Sequence, residues 1–464
     1  ILRIIEMNFD MQKSFPSRVS IIGAARSGLA AAEFFIGKGS DVLISDTCDE
    51  EKLVKILSDK GINNVRHESS AHTDRVLDCD LIVLSPGVPS DIPILVKARE
   101  RKIPVWSEME LGFRASKATF LAVTGSTGKS TTVSLLGEAL NAGGKDAVVA
   151  GNIGIPVISI VHQVPKDSYV VAEVSSFQLE TVDTFRPMAA AVLNFMKNHL
   201  DRYACEDDYY NAKKEIARNF TKDNVLVLNA NDERLCEWAK EMRNKAQIVW
   251  FGADVAGEDS FWIDGMLLKY RFRGNNGVVL NVNDMVIKGY HNHENACVAS
   301  ALAMVAGADV TGIAKGICSF KGLKHRLEYV DEINKVRFYN DSKSTTAESI
   351  LVAVKAFPKG VHLIAGGRDK FCDFTTVNGA IKDHVTDVTL IGEAADRMEC
   401  VWKGLTTIKR ATTLDAAIDR AMENAVPGDV VVFSPGCSSF DMFKNYEERG
   451  DVFKQLVCKR NVTK

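Results

Sequence analysis

Short β-branched runs alternate along this chain with longer segments whose apolar residues recur at helical spacing. The first run, Val19–Ile22, leads through a glycine-bearing turn into an Ala- and Phe-rich helix over Leu29–Ile36. Strands are expected at Asp41–Ser45 and at Asp80–Leu84, the latter running into Ser85-Pro86-Gly87. A second block opens with Thr119–Val123. It passes through a Gly-rich loop into a helix with Leu135, Leu136, Ala139 and Leu140 on one face. Tyr169–Val174, Ala189–Leu193 and Val225–Leu228 continue it, residues 248–287 read as short strands with turns, and a helix runs from about His293 to Val305. A third block begins after Phe320-Lys321-Gly322, with strands at Val336–Tyr339, His362–Ala365, Val388–Ile391 and Val430–Phe433. Strands alternating with helices predict an α/β fold with mostly parallel sheets. Nearly every polar cluster falls at the C-terminal end of an expected strand, the edge at which open α/β sheets bind ligands.

Composition narrows the function classes. With 464 residues, 46% hydrophobic and 25% charged, the chain has material for several cores. A formal charge of −3 gives no footprint for nucleic acid or for an anionic membrane. The longest apolar stretch, residues 148–161, is broken by Gly151, Asn152, Gly154 and Pro156, so no membrane insertion is expected. The ten cysteines form no C-x-x-C pair, and Cys79 and Cys297 sit inside apolar runs. Reduced thiols, a cytoplasmic location and no zinc site follow. The chain opens on Ile1 without a signal-peptide pattern; either residues 1–6 are extraneous or the true start is Met7.

Four groups of residues carry chemistry. The segment Thr124-Gly125-Ser126-Thr127-Gly128-Lys129-Ser130-Thr131 lies between a strand and a helix. Glycines there let backbone N–H groups face a phosphate chain at a helix N-terminus. Lys129 would neutralise β- and γ-phosphates, and the Ser130 hydroxyl would bind Mg²⁺. Val123 stands where the full G-x-x-x-x-G-K-[ST] pattern has its first glycine, so a structural turn competes. Gly23-Ala24-Ala25-Arg26-Ser27-Gly28, with Asp46 downstream, is a degenerate dinucleotide fingerprint; it fits NAD, another nucleotide diphosphate, or a tight turn. Glu173 ends an apolar strand, where a carboxylate needs a partner or a cation. Alone, His199 reads as a loop histidine, and Lys213 and Lys214 as a solvated helix face. The third block gathers His325-Arg326, Asp341 to Thr345, Gly366 to Lys370, and Ser434 to Phe440, a set suited to an anionic substrate.

Together these residues resemble the Mur ligase family over essentially the whole chain and in the same order. The loop Thr124–Thr131 resembles the family's G-T-N-G-K-[ST], followed by Gly151-Asn152-Ile153-Gly154. The segment Glu173 to Glu180 is typical of the members that add D-glutamate. Leu193-Asn194, His199 to Tyr203, Tyr209 to Ile216, His291 to Ala296, His325 to Glu328, Asn340 to Lys343 and Ser434 to Asp441 continue the series. Thr127, Asn198 and Thr346 depart from the usual residues.

The resemblance implies three domains: a Rossmann-like one over 1–115 for the UDP precursor, a central P-loop-type mononucleotide-binding one over 116–322 for ATP, and a Rossmann-like one over 323–464 for the amino acid. It implies an ATP-dependent ligase, a monomer, that joins D-glutamate to UDP-N-acetylmuramoyl-L-alanine through an acyl phosphate, with two Mg²⁺ ions and a carbamylated Lys213. Residue by residue, it places Gly125, Ser126, Thr127, Gly128, Lys129, Ser130 and Thr131 on the ATP phosphates, with Arg326 opposite. Asn295 falls near the adenine and Asp341 near the ribose. The second ion falls to Glu173, His199 and Lys213. Lys343, Thr345, Lys370, Ser439 and Phe440 form the D-glutamate pocket. Arg26, Ser27, Asp46, Thr47, Ser85, Gly87 and Asn152 bind the UDP precursor. A sibling ligase adding another amino acid and a folylpolyglutamate synthetase share the ATP loop. An NAD-dependent dehydrogenase and a non-catalytic nucleotide-binding protein are the alternatives from other classes.

Overall fold

In the computed structural model, which describes residues 14–196, 202–369 and 372–462, three sheets form in chain order. The described residues fall into two compact units, one drawn from positions up to 285 and from 290–319, the other from 286–289 and from 320 onward.

The first unit holds two sheets. Strands β1 (Arg18–Ile22), β2 (Asp41–Ser45), β3 (Arg66–Glu68), β4 (Leu81–Leu84) and β5 (Val105–Ser107) lie in the order β3-β2-β1-β4-β5, all parallel. Helix Arg26–Gly37 leaves the end of β1, between strands that continue to opposite sides. That is a topological switch point, where the sheet's crevice opens. Four of five residues in β1 and β2, and all of β4, are buried. Such continuous apolar runs suit strands covered on both faces.

The second sheet has nine strands: β6 (Thr119–Thr124), β7 (Ala147–Gly151), β8 (Tyr169–Glu173), β9 (Ala189–Val192), β10 (Val225–Asn229), β11 (Gln247–Phe251), β12 (Ser260–Asp264), β13 (Leu267–Phe272) and β14 (Asn275–Asn281). Their order is β14-β13-β12-β11-β10-β9-β6-β8-β7. Strands β6 to β12 are parallel and the last two turn back as antiparallel ribbons. Strand β6 sits between β8 and β9, so the loop that leaves it again marks a switch point. Helices Lys129–Ala142, Tyr290–Val305 and Val310–Ser319 carry buried apolar faces in this unit.

The second unit carries β15 (Glu328–Ile333), β16 (Val336–Asn340), β17 (Val361–Gly366), β18 (Val385–Ile391), β19 (Thr407–Arg410) and β20 (Val430–Phe433), in the order β15-β16-β20-β17-β18-β19. All neighbours are parallel except the hairpin β15–β16. The last strand, β20, is inserted between β16 and β17, which brings the ends of all three together.

One core residue of this unit is drawn toward its charged form by its surroundings. His362, on β17, is 0% exposed, and Asp387 stands opposite on β18. Its Nδ1 lies 3.1 Å from Asp387 and its Nε2 3.1 Å from Asp429, while Lys409 reaches Asp387 at 3.0 Å. Burial favours the neutral ring, but the two carboxylates outweigh it and raise the His362 pKa. A raised folded-state pKa contributes stability that is full below the unfolded value of 6.5 and is lost as pH rises through the folded value. Unfolding midpoints measured over about pH 6 to 9 should therefore fall with rising pH. The fall should be smaller in His362→Asn, and equal slopes in the two proteins would remove the imidazolium from the account.

Candidate active site

Each sheet presents side chains at its C-terminal edge, and the second sheet presents the densest set. Between β6 and helix Lys129–Ala142, Gly125 has φ +149° and Gly128 φ +84°. A Cβ at Gly125 would lie 2.9 Å from Leu193, and one at Gly128 would lie 2.7 Å from Asn295 Oδ1. Both conformation and space therefore require glycine. The Ser126 and Thr127 N–H groups donate to Asn194 Oδ1, each at 3.0 Å, and the Ser126 hydroxyl donates to the Met196 carbonyl at 2.9 Å. Asn194 thus shapes the loop from the next strand end. The first amides of the helix, at 129–131, are those a helix leaves without partners along its own axis, and they carry its positive end.

Two lysines meet at this loop. Lys129 Nζ donates to the carbonyls of Gly125 at 2.9 Å and Ser126 at 3.1 Å. Lys213 Nζ, from helix Glu206–Lys214, donates to the same Gly125 carbonyl at 3.0 Å. Lys213 is 1% exposed. The solvated-face reading of Lys213 is therefore corrected: the helix turns it inward over the Tyr209 ring. Burial, then the neighbouring Lys129 charge, push its pKa down to about 6 against the pull of Glu173.

Glu173, at the end of β8, is 2% exposed. Its Oε1 accepts from the Asn152 amide at 2.7 Å, and its buried Oε2 has no hydrogen-bond partner among the described residues. An uncompensated buried carboxylate oxygen beside a lysine that can lose its charge is the donor chemistry of a hard-cation site. Ser130, at the helix start, is nearly buried and adds a hydroxyl. Among the described residues no three His, Cys, Asp or Glu side chains gather as a metal cluster. His199 lies outside the described residues.

Asn295 packs behind the loop. Its Oδ1 accepts from the Thr132 hydroxyl at 3.0 Å and its amide donates to Asn292. Sequence reasoning quoted Asn194 only within the family resemblance, without a role, and missed Asp232, which accepts the Phe195 N–H at 3.0 Å while capping helix Glu233–Met242. The signal available for Asn194 was a polar residue directly after an expected apolar strand.

At the first sheet, two residues expected on the UDP precursor are engaged in building the turn. Asp46 accepts the N–H of Ala24 at 2.6 Å and of Cys48 at 2.9 Å. The Ser85 hydroxyl donates to the Gly23 carbonyl at 2.8 Å. A Cβ at Gly28 would stand 2.0 Å from that carbonyl, so helix and turn touch backbone to backbone. Arg26, Thr47 and Gly87 are exposed and Ser27 is half-buried. Arg26 Nη1 donates to the Gly154 carbonyl at 2.7 Å, which joins this edge to the Asn152 turn.

In the second unit, Asp341 follows β16 and is buried. It accepts from the Leu327 N–H and the Ser434 hydroxyl, but burial dominates and raises its pKa to about 7. Arg326 is exposed between His325 and Leu327, both at positive φ. The Lys343 N–H donates to the His325 carbonyl at 2.9 Å. Arg449, 1% exposed and unread in the sequence, ties Ser342 to the Cys437 carbonyl. Ser439 is buried, Thr345 is half-buried and Phe440 is 61% exposed. Lys370 lies outside the described residues.

Comparison with known proteins gives these edges a context. Residues 17–107 match the Mur ligase MurD-like N-terminal domain, residues 123–303 the Mur ligase middle domain, and residues 325–437 the Mur ligase glutamate ligase domain. The UDP-N-acetylmuramoylalanine–D-glutamate ligase of Koribacter versatilis is 40% identical over 446 residues, covering 95% of this chain and 97% of its own. That of Acidobacterium capsulatum is 41% identical over 448 residues, covering 95% and 96%. Among solved structures, MurF of Acinetobacter baumannii superposes with a TM-score of 0.60 at 17% identity, covering 96% of this chain and 94% of that one. The UDP-N-acetylmuramate–alanine ligase MurC of Thermotoga maritima gives 0.58 at 19% identity, covering 96% and 100%. These structures share the fold. With domain matches along its length and such relatives over nearly all of it, the chain belongs to the Mur ligase family.

Proposed function

We propose that this ATP-dependent ligase joins D-glutamate to UDP-N-acetylmuramoyl-L-alanine, working as a cytoplasmic monomer in peptidoglycan precursor synthesis. The observation that carries this reading is the buried Lys213 amine, which meets Lys129 on one carbonyl beside Glu173. Residues 1–115 take the UDP precursor, 116–322 take ATP and 323–464 take the amino acid.

A carboxylate does not acylate an amine at neutral pH, because its oxygen leaves poorly. Moving the γ-phosphoryl of ATP onto that oxygen makes an acyl phosphate. The D-glutamate amine then attacks the carbonyl carbon, and phosphate departs with the C–O electrons. No protein nucleophile is needed, so the work is positioning and charge neutralisation. Lys129 and the helix-initial amides hold the phosphates, and Arg326 meets the transferring group. Asn295 and Asp341 support the adenosine. Arg26, Ser27, Asp46, Thr47, Ser85, Gly87 and Asn152 hold the UDP precursor, with Asp46 and Ser85 acting through the turn they brace. Lys343, Thr345, Lys370, Ser439 and Phe440 receive D-glutamate, the lysines facing its carboxylates.

Two Mg²⁺ ions would supply charge neutralisation along the phosphates and the acyl oxygen. Ser130 would hold one; Glu173, His199 and Lys213 would hold the other. An ammonium cannot serve there. A lysine with its pKa near 6 is largely the free amine at neutral pH. Such an amine can add CO₂ and lose a proton, becoming an anionic carbamate. Carbamylation turns Lys213 into an oxygen donor beside Glu173.

The deciding experiment is phosphate release from ATP with UDP-N-acetylmuramoyl-L-alanine, with and without D-glutamate. Release should require both. Release with a different amino acid would reassign the pocket to a sibling activity, and release with neither would end the ligase reading. Lys129→Ala should cut kcat more than about a hundredfold, roughly 3 kcal/mol of transition-state stabilisation; near-normal kcat would remove Lys129 from the phosphates. Lys213→Ala should be inactive, and acetate or propionate should restore part of its rate. An active Lys213→Ala, or one that no short carboxylate rescues, would count against the carbamate.

A further inference from the structure

The loop after β3 folds back over the end of β2. The Asp46 N–H donates to the Glu68 carbonyl and the Ser70 N–H to the Cys48 carbonyl. Within this fold lies a chain of side chains that the reaction above does not use. The Glu68 carboxylate accepts the Thr73 N–H at 2.9 Å, the Thr73 hydroxyl at 2.6 Å and the Ser45 hydroxyl at 2.7 Å. Ser45 is 0% exposed and Glu68 7%. Burial works against the carboxylate, but the bonds from Thr73 and Ser45 outweigh it and keep Glu68 ionised.

Ser45 Oγ also lies 2.7 Å from His72 Nδ1. A hydroxyl has one proton, and Ser45 gives it to Glu68. Nδ1 therefore carries the ring hydrogen and donates to Ser45. Burial keeps the His72 pKa low despite the nearby charges of Asp46 and Glu68, so the ring is neutral. In that tautomer Nε2 is a bare acceptor. Nothing among the described residues donates to it, and His72 is only half-buried.

Position indicates what Nε2 faces. In a doubly wound sheet the phosphates lie at the helix after the first strand, and the sugar and base extend over the end of the second. Here those are the Gly23–Gly28 turn after β1 and the Ser45-Asp46-Thr47 end of β2, and β3 lies beyond β2 at the sheet edge. His72 follows β3 and stands beside Asp46, on the nucleoside side. Uracil offers one donor on its pairing edge, N3–H, between two carbonyl acceptors.

We propose that His72 Nε2 accepts the N3–H of the uracil, with Glu68 and Ser45 fixing the tautomer that makes it an acceptor. The proposal rests on the reading that the first sheet takes a UDP-linked substrate. Calorimetry of the full chain with UDP and with N3-methyl-UDP tests it. Wild type should prefer UDP by about tenfold or more, the effect of leaving a buried acceptor unpaired. His72→Phe keeps a ring without the acceptor, and its preference should fall to within about threefold. His72→Gln, whose amide oxygen can accept, should keep it. Thermal unfolding identifies a variant that has not folded, and the Gln variant then decides by keeping or losing the preference. A preference indifferent to residue 72, or equal losses for both nucleotides in His72→Phe, would overturn the proposal and leave the UDP reading intact. Wild-type protein that binds neither nucleotide would overturn both.

Discussion

Two lysine amines share one backbone carbonyl, and much of the candidate site follows from that. Lys129 and Lys213 both donate to the Gly125 oxygen, in a place where Lys213 is almost wholly buried. Two ammonium charges so close in low dielectric are costly, so one proton is readily lost. Glu173 is near enough to favour the charged form but does not compensate it. The Asn152 amide takes one Glu173 oxygen and leaves the other orphaned. With Lys213 neutral, the loop keeps the Lys129 charge, and an unmet carboxylate oxygen stands near it. On the proposed reading a phosphate chain would answer the first and a cation the second.

The same geometric device serves all three sheets. A strand end at a switch point leaves a crevice between loops that depart to opposite sides. In the first sheet Asp46 and Ser85 close the turn after β1 by accepting from Ala24 and donating to Gly23. In the second, Asn194 does so for the loop after β6. In the third, the Ser434 hydroxyl, just past the inserted β20, donates to Asp341, just past the neighbouring β16. Each crevice is thus pinned by a side chain from a neighbouring strand. Its exposed positions include Arg26 and Thr47 at the first sheet and Arg326 at the third.

Much of this was legible in the sequence, for definite reasons. Strands β1, β2, β4, β6, β8 to β10, β17 and β20 are largely apolar runs, the mark of parallel strands with both faces covered; β16 and β18 are interrupted by polar residues but keep apolar positions. The unread strands include Arg66–Glu68, Val105–Ser107 and Thr407–Arg410, polar or short, and the apolar Ala147–Gly151, all at sheet edges. The loop that carries Lys129 and Ser130 was legible because a strand, a Gly-rich turn and a helix follow one another directly in sequence. The burial of Lys213 was not, since helix Glu206–Lys214 is mostly polar and only the fold turns one lysine inward. Asn194, Asp232 and Arg449 act through bonds to segments distant in the chain, which spacing does not encode. Family resemblance supplied UDP-binding roles for Asp46 and Ser85, but not the backbone bonds by which both brace the turn after β1.

The first and second sheets fall in one compact unit, and helix Glu108–Ala115 explains why. It follows directly on β5 and carries two buried acids. Glu110, 0% exposed, accepts the N–H groups of Asp183, Thr184 and Phe185, the Thr184 hydroxyl and the Arg114 guanidinium. Glu108 accepts the Ile158 N–H at the start of helix Val157–Ile160, and its burial raises its pKa to about 7. Both carboxylates therefore end on backbone of the segment that follows β7 or β8. The Glu110 carboxylate, with both oxygens bonded, cannot be pulled from its partners without exposing orphaned N–H groups on one side and a desolvated acid on the other. The link between the sheet proposed for the UDP precursor and the sheet proposed for ATP is thus made of bonds that resist opening. On the proposed reading, a precursor bound at the first edge would be held in a set relation to the loop of Lys129, as transfer of a phosphoryl group onto its carboxylate requires.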